Sequence, residues 1–550
     1  MLKLATILDN PGEPHAQTRY RDPEHLRDLG YNGVVIYETT GLSGIDQLDR
    51  IGTGEIRRWV GQQLDEVRQR IEQARGAGLE TYIFYDVLSL ARGVVDQQVD
   101  QYVCKNRREM LCPASDAALE RCAAALKGLL AMLPPVEGVV LRFGDNDAAR
   151  LPYLIGNDIY LPHCARCSQL GRADRIVRVL KRFHQLVVGD LNLRLIARAW
   201  NVRPNAMHDS VELCERIASR LPGEPGDDRF VLSFKCTETD FWRYQKWNRA
   251  SLMFGGRPIL YELQCQREFE GKGGLPNWQV PLWRDGMPEV RSDGEPGGLA
   301  DVADRIAFAG LWAWVRGGGW GGPFIKNETW IDANVFAVPR LADDPKLNLR
   351  ELADEWVRTR LNLEGEVAAV LRDILEHSPD MIRDALYIGP YAKSRDVPWH
   401  PNADWIQDDL VDAESAWRIV QKLPDAALDA VIAEKQSVVE RISAERAALQ
   451  QRLTDENRPA LEPLVNTLTY GESLIESLAG LLGGLVAYRR WQKSKDPTAA
   501  EQCRKRLLAC QTHWNQHTQR HGSLSGAATA FRESHLWELT ERLLEQVAAG

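Results

Sequence analysis

Asp240 and Glu268 stand at the C-terminal ends of two consecutive apolar runs, RFVLSFKCTETDFW and RPILYELQCQREFEG, 28 residues apart. Two carboxylates at neighbouring strand ends can share one water or pass one proton, which is the equipment of acid/base hydrolysis. Lys235 precedes Asp240 by five residues, and the strand before it ends in Arg198-Ala199-Trp200. Further back, the run EGVVLRFGDND places Asp145 and Asp147 on a loop that follows another apolar segment. The ordinary reading of any one of these acids is a solvated strand end. Their joint position relative to the strands decides otherwise.

Strand-length runs rich in β-branched and aromatic residues occur at 3–10, 31–39, 79–87, 137–145, 192–200, 229–235, 257–265 and 305–315, a count of eight. Most are separated by helical periodicity, as in EIRRWVGQQLDEVRQRIEQARGAG (55–78), DAALERCAAALKGLLAML (116–133) and SVELCERIASRL (210–221). This alternation predicts a (β/α)8 barrel with its site at the C-terminal ends of the strands. A doubly wound open sheet is the competing fold, but ILDNPGEP after the first run is no glycine-rich phosphate turn. From LNLRELADEWVRTRL onward the pattern is helical, so the expected organisation is a barrel over 1–345 and an α-helical domain over 346–550. Within that domain LIESLAGLLGGLVAY is the most apolar stretch; it carries Glu476 and is too short to cross a bilayer, which makes it core.

The chain has 550 residues, 44% of them hydrophobic, and a net charge of −9. That balance supplies no electrostatic footprint for nucleic acid. The N-terminus lacks the continuous apolar run of a secretory signal, and ten cysteines show no disulfide framework spacing, so the expected location is a reducing cytoplasm with no membrane partner. His163, Cys164 and Cys167 form H-C-x-x-C in the loop after strand four. A structural zinc needs more ligands. No second C-x-x-C supplies them, although the neighbouring loop could bring Cys104 and Cys112 close; the expectation is a reduced structural pair and no metal or cofactor.

Seventeen tryptophans suit a pocket for sugar, because a pyranose presents an apolar C–H face to an aromatic plane. Trp312 and Trp314 lie at strand spacing, where one of them belongs to the core, and Trp320 lies among glycines that let a backbone approach a ligand. The candidate catalytic residues are therefore Asp240, Glu268, Asp145 and Asp147. Lys235, Arg198, Trp200, Glu38, Tyr85, Glu262, Trp314, Trp320 and Asn334 are the candidate substrate contacts. Tyr37 and Asp86, at the ends of strands two and three, are further participants.

The segment from ARAW through FKCTETDFW, LMFGG, LYELQCQREF and VPLW to NETWIDANVFAVPRLADDPKLNLRELADEWVRTRL resembles the α-glucuronidases of glycoside hydrolase family 67. The likeness covers roughly residues 190–365. It implies an inverting, metal-free exo-glycosidase that removes α-linked glucuronic acid from oligosaccharides. It also implies that Asp240 and Glu268 activate the water, that Lys235 and Arg198 lie near the uronic acid, and that the helical region forms a homodimer. Two departures stand out. The family's acid is a glutamate in a Ser-Glu-Gly context, whereas Gly144-Asp145-Asn146-Asp147 occupies that loop here, with Glu38 as the fallback. The family also carries an α/β domain ahead of the barrel, and with strand one at about residue 3 none is expected here. Alternative expectations are a glycosidase of the same barrel type acting on a neutral or N-acetylated sugar, and a non-catalytic carbohydrate-binding protein.

Overall fold

The computed structural model describes residues 1–317, 327–392, 406–407, 410–521 and 532–550. Eight parallel strands close into a barrel: β1 (Leu2–Leu8), β2 (Gly33–Ile36), β3 (Glu80–Asp86), β4 (Gly138–Arg142), β5 (Arg194–Arg198), β6 (Phe230–Lys235), β7 (Pro258–Gln264) and β8 (Ala307–Gly317). Each pairs with its sequence neighbours, and β8 closes on β1. All eight coincide with the expected runs. Both faces of these strands are buried, which is why they read as near-continuous apolar stretches.

Amphipathic helices cover the barrel. In α1 (Gly54–Gly76), Val60, Leu64, Val67, Ile71 and Ala74 form the buried stripe. Spacings of three and four residues put them on one side of the helix. Each large aliphatic removed from water contributes about 1.5–3 kcal/mol. Ser115 caps α2 (Asp116–Met132) by accepting from the Ala118 amide, and Ser210 caps α3 (Val211–Ala218) by accepting from Leu213. Such caps contribute about 1 kcal/mol each.

Beyond β8 the described chain is mainly helical: α4 (Thr329–Asp343), α5 (Leu349–Leu361), α6 (Gly365–Leu386), α7 (Leu428–Gln450), α8 (Arg458–Ser494), α9 (Pro497–His521) and α10 (Leu536–Ala549). The apolar stretch LIESLAGLLGGLVAY lies inside α8, where Leu474, Ile475, Leu478, Leu481, Leu482, Leu485 and Val486 are all buried. A Cβ at Gly480 would stand 3.1 Å from the Cα of Cys510 on α9, so glycine lets the two helices close. Trp491 and Trp514 are core. No described helix is long and apolar enough to cross a membrane.

The helical region grips the barrel near one strand end. Ser378 Oγ on α6 accepts from the Trp278 amide at 2.8 Å, and the Tyr387 hydroxyl donates to Glu270 at 2.9 Å. Trp330 Nε1 donates to Thr467 Oγ1 at 2.8 Å. Trp278 and Glu270 belong to the loop after β7, the loop that carries Glu268.

Candidate functional site

Charged side chains fill the upper barrel where branched apolar residues would ordinarily pack. Strand register explains their meeting: Asp86 pairs with Arg142, Arg142 with Arg198, Arg198 with Ser233, and Lys235 with Glu262. Arg142 chelates Asp86 through both Nε and Nη2, the second contact being 2.8 Å, and its Nη1 donates to the Tyr37 hydroxyl at 2.8 Å. The same guanidinium stands 2.8 Å from Asp147, to which Tyr37 also donates at 2.9 Å. Burial pushes the Asp86 carboxyl up against the opposing pull of Arg142. Burial likewise holds the Tyr37 phenol well above its ordinary value, so it serves as a neutral donor. One strand over, Arg198 donates to Glu262 at 2.9–3.0 Å, and Glu262 also accepts from Ser233 Oγ at 2.8 Å and Trp314 Nε1 at 3.1 Å.

Above this floor opens a pocket of about 200 Å³. Asp145, Asp147, Arg150, Arg198, Lys235, Asp240, Gln264 and Glu268 line it, with Tyr37, Trp200, Phe241, Phe269 and Trp314 as aromatic surfaces. All four expected catalytic acids thus share one cavity. Lys235 Nζ donates to Asp240, and the Phe241 amide donates to the same oxygen at 2.8 Å. Thr237 Oγ1 donates to the Asp240 carbonyl at 2.9 Å, tying down the turn. Glu268 is clamped reciprocally by Gln264, whose Nε2 donates to Oε2 at 3.1 Å while its Oε1 accepts the Glu268 amide at 3.0 Å. Lys235 Nζ also lies 3.7 Å above the Trp200 ring centroid, a cation–π contact inside the pocket wall.

The loop after β4 separates its two aspartates. Asp147 is occupied by Arg142 and Tyr37 and is one-tenth exposed, whereas Asp145 is 28% exposed and faces Arg150 at 3.6 Å. Asp145 adopts φ 52°, and Arg267, just before Glu268, adopts φ 57°. Left-handed backbone at non-glycine residues costs free energy and gathers at functional sites. Gly144 is required beside it, since a Cβ there would meet the Asn201 side chain at 2.5–2.8 Å. The Glu268 loop is braced below by Glu270, which accepts from Arg267 at 3.0 Å, from Asn277 at 2.7 Å and from Tyr387. Burial works against the charge on Glu270, but Arg267, Arg243 and these hydrogen bonds outweigh it and hold the carboxyl at about 2.

Several expected contacts lie elsewhere. Glu262 is fully buried beneath the pocket as the counter-ion of Arg198, two residues deeper in the barrel than Gln264. Tyr85 points to the helix layer, packing by Phe183 and accepting from the Gly44 amide at 3.1 Å, because it alternates with the inward Phe84 and Asp86. Glu38 sits in a 3₁₀ turn (Tyr37–Leu42) after β2 and pairs with Arg70 and Arg21, which removes it as a fallback acid. Asn334 on α4 spends its amide on the carbonyls of Cys265 and Asn277 and the amide of Gln279. Trp312 is core and stacks under Trp314, which lines the pocket. Trp320 lies outside the described residues.

Arg142, Arg150 and Gln264 were not singled out from sequence. Arg142 and Gln264 carried an available signal, being strand residues of the same parity as their neighbours' charged ends. From sequence Cys164 and Cys167 are expected as a reduced structural pair without metal, for want of a second C-x-x-C pair, although the neighbouring loop could bring Cys104 and Cys112 close. The hairpin Val103–Cys104/Arg107–Leu111, in the loop after β3, does carry Cys104 and Cys112 to them. His163 turns instead to Asp158 at 3.3 Å.

No family model matches the chain. It is 24% identical over 159 residues to an alpha-glucuronidase of Hypocrea jecorina, a match covering 27% of this chain and 18% of that protein. It is 27% identical over 157 residues to a probable alpha-glucuronidase A of Neosartorya fischeri, covering 26% and 18%. The chain therefore spans less than a fifth of the length of these curated relatives. Among solved structures, a GH138 enzyme targeting pectin rhamnogalacturonan II matches with a TM-score of 0.55 at 10% identity, covering 100% of this chain and 67% of that one. That likeness is one of fold: this chain is built as a closed (β/α)8 barrel with a helical C-terminal region.

Proposed function

We propose that this chain is an inverting glycoside hydrolase that releases an α-linked uronic acid from the end of an oligosaccharide. The observation that carries the reading is the convergence of Asp240 and Glu268 with Asp145 on one pocket whose walls also carry cationic and aromatic side chains. Asp240 and Glu268, each held by its own strand, position and deprotonate the attacking water. Asp145, on the loop after β4, protonates the leaving oxygen, since Asp147 is engaged by Arg142 and Tyr37. Inversion requires the acid and the base to stand roughly 6.5–9.5 Å apart across the bound sugar. A 200 Å³ pocket suits one sugar ring, which favours exo action. Arg150, Lys235 and Arg198 give a uronate carboxylate cationic neighbours, and the relatives' names point the same way.

A second reading rests on a specific observation. Lys235 is committed to Asp240 and Arg198 to Glu262, an arrangement that also suits a neutral or N-acetylated sugar. Aryl α-uronides, neutral α-glycosides and N-acetylhexosaminides, assayed side by side, separate the two. Preferential cleavage of the uronide, with the β-anomer as first product by NMR, is the expected outcome. Preference for an uncharged sugar supports the second reading, an α-anomer as first product rules out inversion, and binding without turnover supports a non-catalytic sugar-binding protein.

A further inference from the structure

Cys104, Cys112, Cys164 and Cys167 bring four sulfurs within 4.8 Å of one another in a buried cluster, none of whose members lines the pocket. The separations Cys104–Cys167, Cys112–Cys164 and Cys164–Cys167 are 3.9, 3.7 and 3.6 Å. Disulfides need about 2.05 Å. A tetrahedral zinc with Zn–S bonds of about 2.3 Å requires sulfur–sulfur edges of about 3.8 Å, the spacing of these three pairs.

Polar donors are aimed at two of the four sulfurs. Cys167 Sγ accepts the backbone amides of His163 at 3.0 Å and Cys164 at 3.2 Å, and Arg166 Nε donates to Cys112 Sγ at 3.3 Å. Neutral thiol sulfur accepts only weakly, so cysteines packed merely as small apolar groups would gain little from N–H donors and a guanidinium aimed at sulfur. Around four thiolates and one divalent ion, which together carry two negative charges, those donors offset the charge.

We propose that these four cysteines bind one structural zinc ion that staples the loop after β3 to the loop after β4. Two ligands come from the hairpin and the residue that follows it, Cys104 and Cys112, and two from the C-x-x-C turn. Four protein thiolates close the coordination shell, so the ion has no open position for catalysis. Its effect on the pocket is indirect. The Leu111 amide donates to the Gly156 carbonyl at 2.8 Å, and Leu90–Ala91 pairs with Leu154–Ile155, so the stapled segment continues directly into the stretch that bears Asp145 and Asp147. The assignment stands apart from the glycosidase reading, because its measurement needs no substrate.

The test is metal analysis of the full-length protein after dialysis against metal-free buffer. About one equivalent of zinc per chain is expected, released by an organomercurial in step with about four thiols. Replacement with Co(II) is expected to produce thiolate charge-transfer and tetrahedral ligand-field absorption. The double variant Cys104→Ser/Cys112→Ser is expected to lose the metal and to become protease-sensitive between β3 and the end of the C-x-x-C turn. Metal-free wild-type protein whose four thiols titrate freely, or a cluster isolated as disulfides, overturns the proposal. Stoichiometric iron in place of zinc overturns the zinc assignment. Should the double variant not fold, the wild-type stoichiometry and the cobalt spectrum still decide.

Discussion

The substitution Asp240→Asn is the sharpest probe of the pocket, because the two side chains have the same shape and differ in charge. The asparagine amide keeps an oxygen to accept the Phe241 N–H, as the Asp240 carboxylate does at 2.8 Å. What it loses is the charge that faces Lys235 and the basicity that would take a proton from water. Lys235 is 6% exposed and Asp240 22%, so the pair lies between surface and buried limits. Losing it costs about 1–2 kcal/mol of stability. Removing a positioned base slows turnover by about 10²- to 10⁴-fold. That is about 2.7–5.4 kcal/mol in the barrier at 1.36 kcal/mol per decade. Glu268→Gln preserves a side-chain amide contact with Gln264 and should fall in the same range. If both carboxylates act on one water, the double variant loses less than the product of the single effects. The assay is kcat and KM on the preferred aryl glycoside with thermal melts of each variant. Either single variant keeping more than about a tenth of wild-type kcat with an unchanged melt would refute the assigned role.

Two further outcomes are expected. Tyr387→Phe leaves a buried Glu270 oxygen without its hydroxyl donor, so stability should fall by about 1–3 kcal/mol; because Glu270 braces the Glu268 loop, kcat should drop more than KM changes, and an unaltered kcat would disconnect the helical region from the site. Burial, with the neighbouring His521 also opposing charge, lowers His517 to about 3, and burial together with Arg520 lowers His521 to about 4. Both remain neutral in the fold and charge in the unfolded chain near 6.5, so stability is full above pH 6.5 and drains away as pH falls towards 4 and 3. About 2–4 kcal/mol should be lost between pH 7 and pH 5. Urea unfolding at the two pH values checks this, and His517→Gln should remove roughly half of the difference; the same pH dependence in that variant would overturn the assignment.

The barrel was legible because strands buried on both faces must read as apolar runs, and helices lying over them must show a one-sided stripe. Asp240, Glu268, Lys235 and Arg198 were legible for the same reason: a charge that interrupts such a run at its C-terminal end belongs to the mouth. Sequence spacing failed where depth or direction mattered. Glu262 shares the parity of Gln264, yet two residues deeper is enough to make it the counter-ion of Arg198 rather than a wall of the pocket. Tyr85 is one residue from Asp86 and faces the opposite way. Glu38 follows a strand that ends at Ile36, and the 3₁₀ turn carries it to Arg70.

Local chemistry along the chain, apolar periods and the charges that interrupt them, was enough to determine eight strands, a helical tail and the acids at the mouth. Closure of the barrel decided the rest. Only the side-by-side arrangement of β2, β3 and β4 gathers Tyr37, Asp86 and Asp147 around Arg142, and only the packing of two loops brings Cys104 and Cys112, more than fifty residues away in sequence, to Cys164 and Cys167. Such pairings depend on which turns lie side by side in space, and no periodicity within one segment encodes that.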